Sequence, residues 1–211
     1  MPIPSTTGSL KTKISHMEIG DYIKLSYNNV AYVIGENGQT EYPVTGSTTS
    51  VLGWMYLIKV DKGLLISDRV FRHTISWDVL NNAKWIQGNS VTLDGITGII
   101  RGISGGVAYA NPTTGAITTD STGSIQSAPI NNEWDKYINL STLNGKVTAG
   151  DNNVWHWSGI YTWTQDTPIL GLAAVTTRTI RGNTFAKTIN WVASSTSNST
   201  HGFRPVFEYT E

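Results

Sequence analysis

Serine and histidine residues are the first candidates for chemistry in this sequence. Residues 102–106 match the G-x-S-x-G string, which in hydrolases presents a nucleophilic serine, here Ser104, at a sharp turn between a strand and a helix. The residues that follow include a proline and a glycine and do not open a long helix, and nothing in the sequence ties His156 or His201 to Ser104. We therefore interpret the string as a glycine-rich loop, since it identifies a nucleophile only in its structural context.

Carboxylates are the second candidates for catalysis, because a glycosidase needs two of them about 5–9 Å apart. The candidates are Asp68, Asp78, Glu133 and Asp135. The last three lie in the first turns of predicted helices, where the helix dipole alone favours an acid. We therefore expect structural roles for these acids and expect that the protein is not an enzyme.

Oxygen-rich side chains raise the question of a metal ion. Asp151, Asn152 and Asn153, together with Asp166, offer the oxygen ligands that calcium prefers, but they lack the spacing of a calcium-binding loop. The four histidines are scattered, without a pair at ligand spacing. A turn is the favoured use of residues 151–153, so we expect no cofactor, with calcium as the alternative.

Aromatic residues suggest a binding surface. The chain has eight tryptophans, more than a core of this size usually requires. Trp155, Trp157 and Tyr161 lie in a segment that we interpret as extended, where Trp155 and Trp157 share one face because side chains alternate with a period of two. Exposed Trp and Tyr stack on sugar rings and anchor interfaces, so these three residues are candidate ligand-binding residues.

The amino-acid composition limits the classes of partner that this chain can bind. The 211 residues carry no formal net charge and no cysteine, and only 14% are charged. The lack of a basic cluster excludes a nucleic-acid partner, and the lack of cysteine excludes disulfides and Cys-ligated zinc. No apolar run reaches the length of a membrane span, so membrane insertion is not expected. The N-terminus lacks the features of a signal peptide, so we expect synthesis in the cytosol.

Alternation and turn signals predict the elements that position these residues. Residues 1–18, rich in Pro, Ser and Thr, are predicted to form an extended arm that reaches a neighbour or an attachment point. Hairpins are predicted over residues 21–34, 51–67 and 91–100, each around Asn, Asp or Gly. The first two belong to a β-rich part over residues 19–70.

Helical signals are fewer. Short helices are predicted over residues 76–87, with Ser76 as the N-cap, and over residues 131–140. Residues 103–129 are rich in Gly, Thr, Ser and Ala and are predicted to form a long loop. The expected fold class is therefore α+β, mostly β.

The stretch from Arg178 to Pro205 resembles the ending of a known fold. A strand ending in Arg181 and Gly182 leads through a polar loop to a closing Gly-Phe-Arg. This ending resembles that of the C-type-lectin-like fold shared by formylglycine-generating enzymes and the variable proteins of diversity-generating retroelements. The resemblance implies a C-type-lectin-like domain over residues 71–211. We interpret the residues at the two ends of the loop as scaffold: Arg181, Gly182, Gly202, Phe203 and Arg204.

Most of the chain from Ile19 onward also resembles proteins of phages and prophages of Gram-positive bacteria. The strings that carry this resemblance are Gly-Asp-Tyr-Ile, Ile-Ser-Trp-Asp, Asn-Glu-Trp-Asp-Lys, Gly-Asp-Asn-Asn-Val-Trp and Gly-Phe-Arg-Pro-Val. Formylglycine-generating enzymes work through cysteines, which this chain lacks, so the resemblance implies binding. The loop offers small polar residues around one aromatic anchor, a mix that antibody loops also favour. These candidate ligand-binding residues are Trp191, Asn190, Thr188, Thr184, Ser195, Ser197 and Asn198.

Together these features predict a phage receptor-binding protein or adhesin that recognises a host cell-surface glycan or protein and contacts other virion proteins. We expect a homo-oligomer, with a trimer favoured, located on the virion or outside the cell after host lysis. The first alternative is a structural decoration protein of a capsid or tail that does not bind the host. A wall-glycan depolymerase is less favoured.

Overall fold

The computed structural model describes residues 3–48 and 52–211, and it confirms the predicted class, α+β and mostly β. The first third of the chain supplies β1 (Leu10–Lys11), β2 (Tyr22–Asn28), β3 (Tyr32–Ile34), β4 (Leu52–Asp61) and β5 (Leu64–Ser67). The middle supplies β6 (Arg72–His73), β7 (Asn89–Leu93), β8 (Ile96–Arg101), β9 (Ala108–Ala110), β10 (Ile117–Thr118) and β11 (Ser127–Ala128). The last part supplies β12 (Tyr161–Trp163), β13 (Thr177–Gly182), β14 (Ile189–Ala193), β15 (His201–Phe203) and β16 (Val206–Tyr209).

Local turn chemistry builds three hairpins of the large sheet. Positive φ angles occur at Asn29 between β2 and β3, at Gly63 between β4 and β5, and at Asp94 and Gly95 between β7 and β8. Glycine adopts positive φ without steric cost, and Asn and Asp tolerate it. The three predicted hairpins are therefore confirmed, although Val51, the predicted start of the second, lies outside the described residues.

Strand β16 joins the two ends of the chain in one sheet. Its eight strands follow the order β1-β2-β4-β5-β16-β8-β7, with β3 also pairing with β2. Strand β16 pairs antiparallel with both β5 and β8. Strands from residues 19–70 and from residues 71–211, which the sequence suggested as separate parts, are thus hydrogen-bonded neighbours.

The predicted arm lies against its own chain. Strand β1 pairs in parallel with β2, and the backbone N–H of Ser5 donates to the Asn153 carbonyl. Ile14, in a 3₁₀ helix over Ile14–His16, and Met17 are buried in the core. The segment is extended over β1 as predicted, but its described contacts are intramolecular; Met1 and Pro2 lie outside the described residues.

A five-stranded sheet, in the order β14-β13-β12-β15-β6, covers one face of the large sheet. Trp163 of β12 and Phe203 of β15 share a core cluster with Phe207 of the large sheet. The opposite face of the large sheet packs against Trp134 and Trp155. Because both faces are covered, β4 is buried almost along its whole length and lacks polar alternation.

The helices are shorter than predicted. Ser76 caps α1 (Trp77–Asn82) by accepting from the Val79 N–H, as predicted, but the helix ends well before residue 87 because Lys84 adopts a φ of 62°. Residues 131–140 were expected to form an α-helix and instead contain a π-helix over Trp134–Asn139. No helix of the described residues is long and apolar enough to cross a membrane.

Two sequence predictions about local structure are wrong. Residues 152–155 form a short helix, α2 (Asn152–Trp155), capped by Asp151 and ended by His156 at a φ of 41°. A turn was expected over residues 151–153 and an extended segment around Trp155 and Trp157. Residues 103–129 contain β9, β10 and β11, which form a three-stranded sheet, where a long loop was expected. These strands are two or three residues long and mostly Ala, Ser and Thr, so they show no apolar alternation.

Candidate functional site

Arg181, on β13 of the five-stranded sheet, is the centre of a buried network. Its Nη2 donates to Asp135 Oδ1 at 2.7 Å and its Nη1 to Asp135 Oδ2 at 2.9 Å, while Nη1 also donates to the Gly105 carbonyl at 2.7 Å. Burial raises the pKa of Asp135, but the charge and hydrogen bonds of Arg181, with those of Ser127, outweigh burial and lower it. The predicted scaffold role of Arg181 is confirmed.

Arg204 also has the structural role that the sequence predicted. It is fully buried, and its guanidinium donates to the carbonyls of Ser67 and Trp155, each at 2.7 Å. Burial lowers the pKa of Arg204 to about 9. This side chain ties the end of β5 to the end of α2, as expected of a guanidinium that collects backbone carbonyls in a loop-rich region.

Asp68, a candidate glycosidase acid, has no exposed surface. It accepts from Arg69 Nη2 at 2.6 Å, and His156 Nδ1 lies 3.4 Å from its Oδ2. Burial raises its pKa, but the hydrogen bond to His156 and the charge of Arg69 outweigh burial, so the pKa lies below its ordinary value. Asp68 therefore holds an internal ion cluster and cannot contact a surface glycan in this conformation.

Among the described residues, neither His156 nor His201 is hydrogen-bonded to Ser104. Its Oγ accepts from the Glu133 backbone N–H at 2.9 Å, and its own N–H donates to Glu133 Oε2 at 3.0 Å. Glu133 also accepts from Arg101 Nη1 at 2.8 Å, and the side chain of Asp78 is half-buried at the start of α1. Residues 102–106 form the predicted glycine-rich loop, and Ser104 connects this loop to Glu133 at the start of the π-helix.

The residues considered for calcium serve separate backbone roles. Asp151 caps α2 by accepting from the Asn153 N–H. Asp166 Oδ2 accepts from the N–H groups of Gly105 and Gly106, and burial raises the pKa of Asp166 in spite of those bonds. The described part of the chain contains no group of three His, Asp or Glu residues that could hold a metal ion.

The two glycines of the C-terminal scaffold are required for different reasons. Gly182 adopts a φ of 91°, in the region that favours glycine. A Cβ at Gly202 would collide with Val70 Cγ1 and with the Arg72 carbonyl oxygen. Positive φ at Gly182 and the close backbone approach at Gly202 both fit the scaffold interpretation of these positions.

The five-stranded sheet separates the predicted ligand-binding residues onto its two faces. Trp191 is paired with Thr179, whereas Tyr161 is paired with Gly182 three residues further along β13. Because side chains alternate along a strand and paired residues share a face, Trp191 and Tyr161 point to opposite sides. Tyr161 stacks on His201 at 5.3 Å between ring centroids and packs against the core.

Strand β14 separates the polar candidates further. Thr184 and Thr188 lie in the turn before β14, whereas Ser195, Ser197 and Asn198 lie in the turn after it. Six residues of extended chain between Thr188 and Ser194 span about 20 Å. The exposed Thr184, Ser195, Ser197 and Asn198 thus belong to two separate ends of the sheet edge.

The tryptophan pair of residues 155 and 157 does not form a surface platform. Trp155 has no exposed surface and packs in the second core cluster, so its predicted ligand-binding role is wrong. The left-handed conformation of His156 turns the chain between them. Trp157 is half-buried, and its Nε1 donates to the Gly150 carbonyl at 2.9 Å.

Trp191 instead packs against a residue that the sequence did not single out. The rings of Tyr109 and Trp191 meet edge to face, with centroids 5.2 Å apart and planes at 87°. Tyr109, Thr188 and Lys187 line a shallow depression of about 170 Å³ beside this pair. Its other lining residues are Ser124, Gln126 and Ile189. We call Tyr109, Trp191 and these five residues the Tyr109–Trp191 surface.

This surface presents neutral groups around aromatic rings. Lys187 carries its one charge, and the remaining polar groups are hydroxyls and an amide. Trp191 Nε1 is buried and has no hydrogen-bond partner among the described residues, so the exposed part of the indole is carbon. Asn190 Oδ1 accepts from the Trp191 backbone N–H at 2.8 Å, which occupies a backbone donor on the edge strand β14.

Tyr109, Ser124 and Gln126 were missed because they lie in residues 103–129, which carry no apolar alternation. The signal that could have found them is Tyr109 itself, an aromatic residue among small ones. Comparisons of the chain with protein-family models, with curated proteins and with solved structures find no match.

Proposed function

We propose that this chain is a non-enzymatic binding protein of a phage particle, which attaches to a host cell-surface glycan through the Tyr109–Trp191 surface. The edge-to-face aromatic pair beside a depression of hydroxyl and amide groups carries the proposal. Aromatic carbon packs on the apolar faces of sugar rings, and hydroxyl and amide groups bond their hydroxyls. The phage setting and the host rest on the sequence resemblance described above.

Replacement of Trp191 tests this proposal. We expect Trp191→Ala to weaken binding of the labelled protein to intact Gram-positive cells, and to glycans immobilised on an array, by about tenfold or more, because an aromatic anchor contributes about 2 kcal/mol or more. Leu140→Ala is the matched control, because Leu140 is an exposed apolar residue that follows the π-helix. Unchanged binding by a folded Trp191→Ala protein would contradict the proposal.

A structural decoration protein is the second candidate function, and exposed aliphatic residues favour it. Leu170 and Val175 are 78% and 67% exposed, in a segment whose Ile169 N–H donates to the Val107 carbonyl just before β9. Ile117, Ile125 and Ile130 on the neighbouring chain segment are at least half exposed. Sedimentation of the wild-type protein and of a Leu170→Ser, Val175→Ser double variant decides this point. If the wild-type protein sediments as a trimer, the double variant sediments as a monomer and the wild-type protein does not bind cells, the assembly role is favoured.

A further inference from the structure

The depression of the Tyr109–Trp191 surface takes its lining from two parts of the fold. Tyr109 lies on β9, and Ser124 and Gln126 lie in the segment before β11. Lys187 and Thr188 come from the turn between β13 and β14. All the lining residues are half-buried or exposed, so a ligand in the depression can reach them. The volume of about 170 Å³ suits a single sugar ring.

Lys187 supplies the one charged group of this lining. Ion pairs to Asp or Glu engage five of the nine lysines of the chain: Lys11, Lys24, Lys59, Lys136 and Lys146. Lys187 has no such pair within the described part of the chain, and neither do Lys13, Lys62 and Lys84. The place of Lys187 sets it apart, because it lies beside an aromatic pair in a depression whose described lining contains no Asp or Glu.

Buried side chains hold the backbone on both sides of Lys187. The Ala186 carbonyl accepts from Trp134 Nε1 at 2.7 Å, and the Thr188 carbonyl accepts from Arg181 Nε at 3.0 Å. Neither Trp134 nor Arg181 has exposed surface, so both donors belong to the rigid interior. The Lys187 side chain therefore starts from a fixed point beside the depression, and only its flexible stem must be ordered when the ammonium group pairs with a ligand.

The chemistry of an ammonium group determines which ligands Lys187 favours. It is a compact point charge with three N–H donors and no planar geometry to satisfy, so it pairs with a carboxylate or with a phosphate. At an exposed position such a pair contributes a modest free energy, which suits selection among sugars that the aromatic rings already hold. The other polar groups of the lining are hydroxyls and an amide, which serve neutral and acidic sugars alike.

We propose that Lys187 makes the Tyr109–Trp191 surface selective for an anionic glycan, one whose bound sugar carries a carboxylate or a phosphate group. The sugar ring packs against the aromatic pair, and its acidic group lies at the Lys187 ammonium. This assignment rests on the proposed function, because it names the class of glycan that the same surface binds.

Titration of the unaltered full chain with matched sugars tests the role of the charge. Glucose is compared with glucuronic acid and with the phosphate ester of its primary alcohol, and the galactose series is treated in the same way. The indole NMR signal of Trp191 reports binding. We expect an acidic sugar to bind about threefold or more tightly than its neutral parent, as an exposed ion pair allows. The preference should shrink in about 1 M salt, which screens exposed charges.

The two acidic sugars distinguish the source of the charge. Tighter binding of the uronic acid assigns a carboxylate, and tighter binding of the phosphate ester assigns a phosphate. Equal affinities of acidic and neutral sugars in both series, or no binding of any acidic sugar, overturn the proposal.

Variants test the residue. Lys187→Gln should lower the affinity for the preferred acidic sugar about threefold or more, to that of the neutral parent, and should leave the affinity for the neutral parent unchanged. Lys187→Arg keeps the charge and should keep the preference. Lys62→Gln is the matched control, because Lys62 is also exposed and has no ion pair to a described residue. A preference for the acidic sugar that persists in Lys187→Gln overturns the proposal.

Failure of this selectivity and failure of the proposed function give different results. If Lys187→Gln removes the preference while Trp191→Ala still attaches to cells, the selectivity stands and attachment through the aromatic pair is contradicted. If no acidic sugar is preferred while Trp191→Ala loses attachment, the selectivity is overturned and the attachment surface stands.

Discussion

Asp135 is buried and Asp166 half-buried on the Arg181 side of the molecule, and their surroundings shift the pKa values of the two carboxyl groups in opposite directions. Asp135 shares two hydrogen bonds with Arg181, and its pKa is lowered although burial acts to raise it. Asp166 Oδ2 accepts from the backbone N–H groups of Gly105 and Gly106, and burial raises the pKa of Asp166 in spite of these bonds. The surroundings of Asp135 therefore stabilise the negative charge of its carboxylate, whereas burial disfavours the negative charge of Asp166.

The matched changes Asp135→Asn and Asp166→Asn should separate these roles. We expect Asp135→Asn to lower the free energy of unfolding by about 3–5 kcal/mol, because it leaves the Arg181 charge buried and uncompensated. Asp166→Asn keeps an acceptor oxygen for the two N–H groups, so the free energy of unfolding should change by no more than about 1 kcal/mol. Urea denaturation at pH 7 measures the free energy of unfolding of both variants. Equal losses of this free energy would contradict the stabilising role of the Asp135–Arg181 ion pair.

Among the elements, β15 packs closely against its neighbour β6 at Gly202. Gly202→Ala would place a methyl group against the Arg72 carbonyl, which as backbone of the paired strand β6 cannot move aside. We expect a loss of about 3 kcal/mol, at the upper end for overpacking. Gly102→Ala is the control, because its Cβ would lie 3.5 Å from its nearest neighbours, an ordinary contact. Thermal unfolding of both variants measures the difference, and similar melting temperatures would contradict this account.

The secondary-structure elements that could be predicted from the sequence are those that local residues determine. The turns at Asn29, Gly63 and Asp94 follow from residues that tolerate positive φ, and Ser76 caps α1 through its own side chain. Strands β9, β10 and β11 were not predictable, since partners supply their stability and their residues carry no apolar period. Trp155 was misplaced because a single left-handed residue, His156, ends α2 at that point.

The candidate surfaces were less predictable than the elements. The sequence indicated Trp191, but its partner Tyr109 comes from a segment about eighty residues earlier. The fork-like donors of Arg181 and Arg204, in contrast, were expected to serve the scaffold, because buried guanidinium groups need several acceptors.

For the whole molecule, the position of β16 between β5 and β8 means that the sheet is completed by distant parts of the chain. The first core cluster likewise takes Leu25 and Leu57 from the first third and Trp163, Phe203 and Phe207 from the last. The stability of the β-rich part over residues 19–70 therefore depends on residues 71–211.

Expression of residues 19–70 alone tests this dependence. We expect a fragment without dispersed amide NMR signals or a cooperative thermal transition, because β5 loses its partner β16 and the core cluster loses Trp163, Phe203 and Phe207. The full chain is the control. A fragment that unfolds cooperatively would show that the boundary near residue 70 separates autonomous domains.

The central place of β16 also has a consequence for synthesis of the protein. Ribosomes add roughly 5–20 residues per second, so about 140 residues, or roughly 7–28 s, separate the emergence of β5 from that of its neighbour β16. During this interval the nascent chain exposes unpaired strand edges on β5 and β8, which can pair with other chains. The yield of native protein should therefore depend on how well chaperones shield the growing chain until β16 is made.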